Sequence, residues 1–207
     1  RKKDFAGLIL VLDHPDESIF QQAHHALVAS GIEAIESLAG ALSGKNNHLR
    51  KNVVDILGEI GNPDAVNPLL ALLKEKEILE PQLAAIDALG KIGSSRAVKP
   101  LINFMIRVIE ETTWEHASPK YDHQRSINAV RALVEVKNSL LRIGEVTIPQ
   151  LSASLDHDNR MVRYHLARAI GLFGMRGIRH LVNLLNDEHS KTRLIAAQAL
   201  DQMFWVP

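Results

Sequence analysis

LDHDNRMVRYHLARAIGLFGMRGIRHLVNLL, residues Leu155 to Leu185, spells a helix, a tight turn and a second helix. Asp156, Asp158 and Asn159 form a short polar turn of the kind that caps a helix N-terminus. Met161, Val162, Tyr164, Leu166, Ala167 and Ile170 then recur at helical spacing, and Gly171 and Gly174 end the run. Ile178, Leu181, Val182, Leu184 and Leu185 make a second apolar stripe. The same order of elements recurs along the chain, and a fixed period is the sequence mark of a repeat architecture.

The last leucine-type residue of each second helix serves as an anchor: Leu12, Leu42, Leu73, Met105, Leu155 and Leu185. The intervals are 30, 31, 32, 50 and 30 residues, a period of about thirty interrupted once by an insertion of about twenty. Four and seven residues before the anchors stand Leu38 and Ile35, Leu69 and Val66, Leu101 and Val98, Leu151 and Ile148, and Leu181 and Ile178. These offsets share one helix face, which must meet a neighbour. Residues 1–12 fit a second helix lacking its first, and residues 186–204 fit a first helix lacking its second. The sequence therefore predicts an all-α fold, a right-handed α-α superhelix of about five helical hairpins with a half-repeat at each end. It predicts one array over 1–207 with a non-repeat insertion at about 106–121. There the second helix of repeat three should run on to about Glu111, and the next first helix should span Asp122 to Ile143. The first residue is Arg1, as expected of a processed chain or an excised domain, and both ends stop half-way through a repeat, as expected of cuts through a longer array or of atypical caps.

The composition fits this. Of 207 residues, 46% are hydrophobic but only 4% aromatic, so the core must be aliphatic. No apolar run approaches the roughly 18 residues needed to span a bilayer. Arg1-Lys2-Lys3 before an apolar run superficially resembles a leader, but the acidic stretch after Leu12 argues against one. Cysteine is absent, which excludes disulfides and thiolate chemistry. A cytoplasmic location, with no membrane contact, is the expectation. Lys plus Arg and Asp plus Glu each number 24, and this balance lowers the expectation of nucleic-acid binding.

The pattern LxDxDxxVRxxxAxALGxxG, followed by AVxPLxxLL, is similar to the HEAT-like repeats of the phycobilisome-lyase type. It is carried by Leu155, Asp156, Asp158, Val162, Arg163, Ala167, Ala169, Gly171 and Gly174, again by the stretch Leu57 to Leu69, and again by Ala88 to Leu101. The likeness covers nearly all of the chain except 106–121. It implies a HEAT-like solenoid, and the activities of such solenoids are diverse. Eight residues after their anchors stand Arg50, Arg163 and Arg193. The resemblance implies a structural ladder in which they pair with turn acids such as Asp158. Phe20 and Pro81 replace arginine in repeats one and three.

Ten histidines invite a metal reading, but none forms an HExxH pair, and no His-Glu dipeptide of the HEAT-like di-iron hydroxylases occurs. No metal, cofactor or catalytic set is expected. Two surfaces are candidates for a protein or peptide partner. The insertion gathers Trp114, His116, Tyr121 and His123, and aromatic side chains often anchor interfaces. The second helices should line a concave face, whose candidate contacts are Asn67, Lys99, Asn103, Arg179 and Asn183. They belong to columns six and two residues before the anchors, which also hold Glu36, Gly40, Ala71, Pro149 and Ala153. The expected function is a non-catalytic interaction scaffold or adaptor segment. The alternative implied by the resemblance is a bilin lyase subunit or tetrapyrrole-handling chaperone, using Trp114 and Tyr121 near Arg107. A HEAT-like nucleic-acid binder ranks third, since these columns hold few basic and no aromatic residues.

Overall fold

The computed structural model describes residues 4–77, 79–115 and 123–204. Every regular element among them is helical. They are α1 Phe5–Leu10, α2 Glu17–Ser30, α3 Ile32–Ala41, α4 Asn47–Ile60, α5 Val66–Leu72, α6 Glu80–Ile92, α7 Val98–Glu115, α8 His123–Ile143, α9 Thr147–Ala153, α10 Arg160–Gly171, α11 Met175–Leu184 and α12 Ser190–Phe204. The helices follow in the predicted order, with α2 and α3, α4 and α5, α8 and α9, and α10 and α11 as successive pairs within the repeats, between the half-repeats α1 and α12. Repeat three departs from expectation in extent, because its second helix continues to Glu115 rather than stopping near Glu111. Ile106 to Thr112 keep the helical alternation, with Val108 and Ile109 buried, so nothing breaks the run at Glu111.

Helix starts and stops follow local chemistry. Asp16 and Asn46 each accept from the two amides at the start of the helix that follows, and Asn159 accepts from Met161. First helices α2, α4, α6 and α8 each run directly into a glycine with positive φ, such as Gly61 at 67° and Gly93 at 70°, and after α10 that glycine is Gly174 at the start of α11. Only glycine takes that left-handed conformation without a Cβ penalty.

The chain divides into two compact units, residues 1–97 and 98–207, so the boundary falls within repeat three. In unit 1, first helices α2, α4 and α6 form one layer and α1, α3 and α5 the other. Unit 2 repeats the scheme with α8, α10 and α12 against α7, α9 and α11. In both, the predicted stripe is the core: Leu38, Val66, Leu69, Val98, Leu101, Leu151 and Leu181 are completely buried. Sealing one such leucine from water contributes about 1.5–3 kcal/mol.

Contact within the first-helix layer is governed by the residue three before the turn glycine: Val28, Gly58, Gly90, Leu141 and Gly171 in the successive repeats. A Cβ on Gly58 would lie 2.9 Å from the Ala88 Cβ, so its absence lets α4 and α6 approach along their length. Gly171 likewise admits the Met203 side chain of α12, whose Cε is 3.0 Å from where a Cβ would stand. Where the position carries Val28 or Leu141, α2 with α4 and α8 with α10 meet over much shorter stretches.

Candidate functional site

The columns expected to face a partner are open. Glu36, Asn67, Gly40 and Ala71 in unit 1 are exposed, while their neighbours Ile35, Leu38, Val66 and Leu69 are buried. In unit 2, Lys99, Asn103, Pro149, Ala153, Arg179 and Asn183 are likewise exposed beside buried Val98, Leu101, Ile148 and Leu151. A helix must present some face to water. Here that face bears small and amide side chains able to donate and accept hydrogen bonds. Around α9 it is hollow rather than flat: Pro149, Ala153, Asp156, His180, Leu184 and Lys191 line a cavity of about 520 Å³. Lys191 Nζ and the Asp156 carboxylate pair at 2.6 Å on its wall. That carboxylate raises the Lys191 pKa.

The arginine ladder has a different wiring from the expected one. The Arg163 guanidinium donates to the main-chain carbonyls of His157 and Asp158, at 2.6 and 2.8 Å. Arg193 does the same to Asp187 and Glu188, at 2.8 and 2.9 Å. The contact of Arg163 with Asp158 thus runs through the backbone rather than the carboxylate. In each case one nitrogen, Nη1, serves two successive carbonyls of the turn before the helix, and at Asn159 the side chain accepts from the Met161 amide. Arg50 alone reaches an acid in the following repeat. It donates to the Leu42 carbonyl at 3.0 Å and pairs with Glu75. In the next repeat, where Pro81 replaces the arginine, buried Gln82 donates to Glu75 and to the Glu77 carbonyl. The gap in the ladder is therefore bridged by an amide one residue later.

Of the insertion residues, Trp114 falls in the last turn of α7, and His123 is the first residue of α8. His116 and Tyr121 lie outside the described residues. Arg107, assigned to this region as a cation, lies over the Phe104 ring at 5.0 Å and pairs with Glu111 at 3.7 Å. Among the described residues, no three or more His, Asp or Glu side chains are grouped so as to hold a metal ion. None of their helices is long and apolar enough to cross a membrane.

A further site emerges in unit 2 that sequence reasoning missed. Between α8 and α10, floored by α7, lies a cleft of about 500 Å³ lined by Ile109, Val130, Val134, Lys137, Met161 and His165 among others. Lys137 is half-buried there, and no carboxylate of a described residue pairs with it. Burial holds its ammonium below the ordinary lysine range, helped by the Arg168 guanidinium. Burial likewise pushes the His165 imidazole down to about 4, with smaller effects from Lys137 and Arg168. The His165 Nδ1 is buried without a hydrogen-bond partner. The signal was available in the sequence: α8 and α10 together carry seven Arg and Lys against a single acid, Glu135. The neutral total of the chain hides this local excess.

Helices paired in successive antiparallel hairpins, with one buried stripe per repeat, define an α-solenoid. The chain is a HEAT-like repeat protein: residues 5–80 match the model of HEAT repeats, and residues 81–106 that of the PBS lyase HEAT-like repeat. Among solved structures, a chain in the complex of CpcE and CpcF of phycocyanin lyase from Nostoc sp. PCC7120 is similar at 22% identity and a TM-score of 0.50. The match covers 99% of this chain and 79% of that one. Human deoxyhypusine hydroxylase in complex with glycerol matches at 18% identity and a TM-score of 0.41, over 96% of this chain and 95% of that one. A designed armadillo repeat protein in complex with the peptide (KR)4 matches at 17% and 0.36, over 97% and 100%. At such identities these likenesses bear on the fold alone. No curated protein matches the chain.

Proposed function

We propose that this chain is a non-catalytic protein-binding scaffold or adaptor segment. It engages a protein or peptide partner through the exposed columns of its second helices, with Asn67, Lys99, Asn103, Arg179 and Asn183 as contacts. The insertion adds Trp114, His116, Tyr121 and His123. The observation that carries the reading is the alternation on the second helices. Positions seven and four before the anchor are buried in the first four repeats and position four in the fifth, and positions six and two are exposed in all five. Such a face offers amides and small side chains to a partner. Site-specific photo-crosslinkers at Asn103 and Asn183, with a control at Gln22 on exposed α2, test this in the native extract. Adducts at the column positions and not at Gln22 are expected. Equal labelling at all three, or none at the columns, overturns the proposal.

A second reading comes from the match of residues 81–106 to the PBS lyase HEAT-like repeat. As a bilin lyase subunit or tetrapyrrole-handling chaperone, the chain would bind a linear tetrapyrrole and shift its visible absorbance. Titration of phycocyanobilin into the purified chain distinguishes the two: an unshifted spectrum removes this reading and leaves the scaffold.

A further inference from the structure

The first helices of unit 2 present a surface separate from the columns above. The outward face of α8 is apolar at heptad spacing: Ile127, Val130, Val134 and Leu141 are 40%, 62%, 46% and 41% exposed. Fourteen residues of α-helix extend about 21 Å, so the stripe matches another helix of four turns in length. Val130 and Val134 also form one wall of the α8–α10 cleft, opposite Met161 and His165 of α10. A chain segment lying there loses water from its backbone, and the described residues offer it no strand edge to pair with. A helix meets that requirement internally. Charge completes the description. The cleft contains Lys137, which no carboxylate of a described residue pairs with, Arg168 stands beside it, and α8 and α10 carry seven basic residues, of which Arg125 is paired with Glu111 of α7, against one acid. Of the α7 acids whose side chains are described, Glu110 pairs with His157, and Glu111 with Arg107 and, across to α8, with Arg125.

We infer that the α8–α10 cleft is a docking groove for an acidic amphipathic helix of a partner protein. The helix lies along Ile127, Val130, Val134 and Leu141 with a carboxylate opposite Lys137. Its apolar stripe covers that of α8, and its acids face the basic pair of helices. Nucleic acid suits the groove less well, because phosphate binding needs several fully solvated cations in a row, whereas Lys137 sits half-buried among valines. The inference is independent of the column-face reading, since the two surfaces share no residue.

The probe is a fluorescein-labelled helical peptide of about 18 residues, with leucines at heptad positions and flanking glutamates, long enough to span the stripe. Its counterpart has every glutamate replaced by lysine. Fluorescence anisotropy should show the acidic peptide binding the full chain at least roughly tenfold more tightly than the basic one. K137E should weaken the acidic peptide by about tenfold and strengthen the basic one, a charge swap that mere structural damage does not produce. Val134→Glu at an exposed position should also weaken the acidic peptide, with an unchanged circular dichroism melt. Equal binding of both peptides, no binding of either, or indifference to K137E overturns the inference. So does displacement of the acidic peptide by duplex DNA with steep salt dependence, which assigns the surface to nucleic acid. A self-association dissolved by the peptide assigns it to a second copy. Peptide binding only after deletion of residues 116–122 assigns it to the insertion. Crosslinking at Asn103 and Asn183 is read separately, so either proposal can fail alone.

Discussion

In unit 1, α4 and α6 close on each other along their length, while in unit 2 α8 and α10 stand apart over a cleft of about 500 Å³. Both pairs are successive first helices of one repeat family, and both rest on second helices with fully buried leucines. The difference tracks one position. Gly58 brings the α4 backbone up to Ala88, whereas the corresponding residue of α8 is Leu141, 41% exposed. Within unit 2, α10 and α12 supply the control: with Gly171 at that position they pack closely, as α4 and α6 do. The core stripe sets which helices pair, and the residue three before the turn glycine sets how far apart they lie.

The largest test concerns what the units share. Leu69→Ala in unit 1 and Leu166→Ala in unit 2 both empty fully buried sites, and each should cost about 2–5 kcal/mol in denaturant unfolding. A loss in one unit only would mean that the two cores are not equivalent. The next test exchanges the spacers. Gly58→Leu forces a side chain against Ala88 and should cost about 1–3 kcal/mol. Leu141→Gly, at a position 41% exposed, should cost only about 0.5–1 kcal/mol in lost helix propensity. Equal losses would break the assignment of that position as the spacer.

A third test follows from His165. Its pKa in the folded chain, about 4, lies below the usual 6.5, so the unfolded chain takes up the proton first as pH falls. Stability is unaffected above about pH 7 and declines from 6.5 toward 4. The loss should be about 2 kcal/mol once screening of the partly exposed ring is allowed for. His165→Gln should flatten that slope, measured as unfolding midpoints at neutral pH and near pH 4.5; an unchanged slope would show that the ring is not held neutral. The smallest effect is expected from Arg193→Ala, which removes two exposed hydrogen bonds to turn carbonyls and should cost about 0.5–1 kcal/mol by thermal melting.

The fold was legible because its determinants are local and repeated. Anchors thirty residues apart, caps such as Asp16 and Asn46, and turn glycines such as Gly61 each act within a few residues of themselves. The exposed columns followed from the same arithmetic, since an amphipathic helix that buries Leu101 and Val98 must turn Lys99 and Asn103 outward. The ladder was legible in position but not in partner. Asp158 offers a carboxylate and a carbonyl to the same guanidinium, and only the turn geometry selects the carbonyl. The α8–α10 cleft was legible only in its charge, seven Arg and Lys against one acid, and not in its shape. It depends on Val134 and His165, thirty-one residues apart in different repeats, and on what Leu141 fails to permit. Periodicity describes what recurs, and this feature arises where the pattern lapses.

Lys137 makes that lapse observable without any mutation. A lysine whose ammonium is disfavoured carries more free amine at neutral pH than one in open water, and free amine is the form that acylating reagents attack. Lys137 should therefore be modified by a small reagent out of proportion to its exposure, measured against a lysine such as Lys45 in peptide mass maps. Any occupant placing a carboxylate beside it would restore the ammonium and quench that reactivity, so the groove reports its own occupancy.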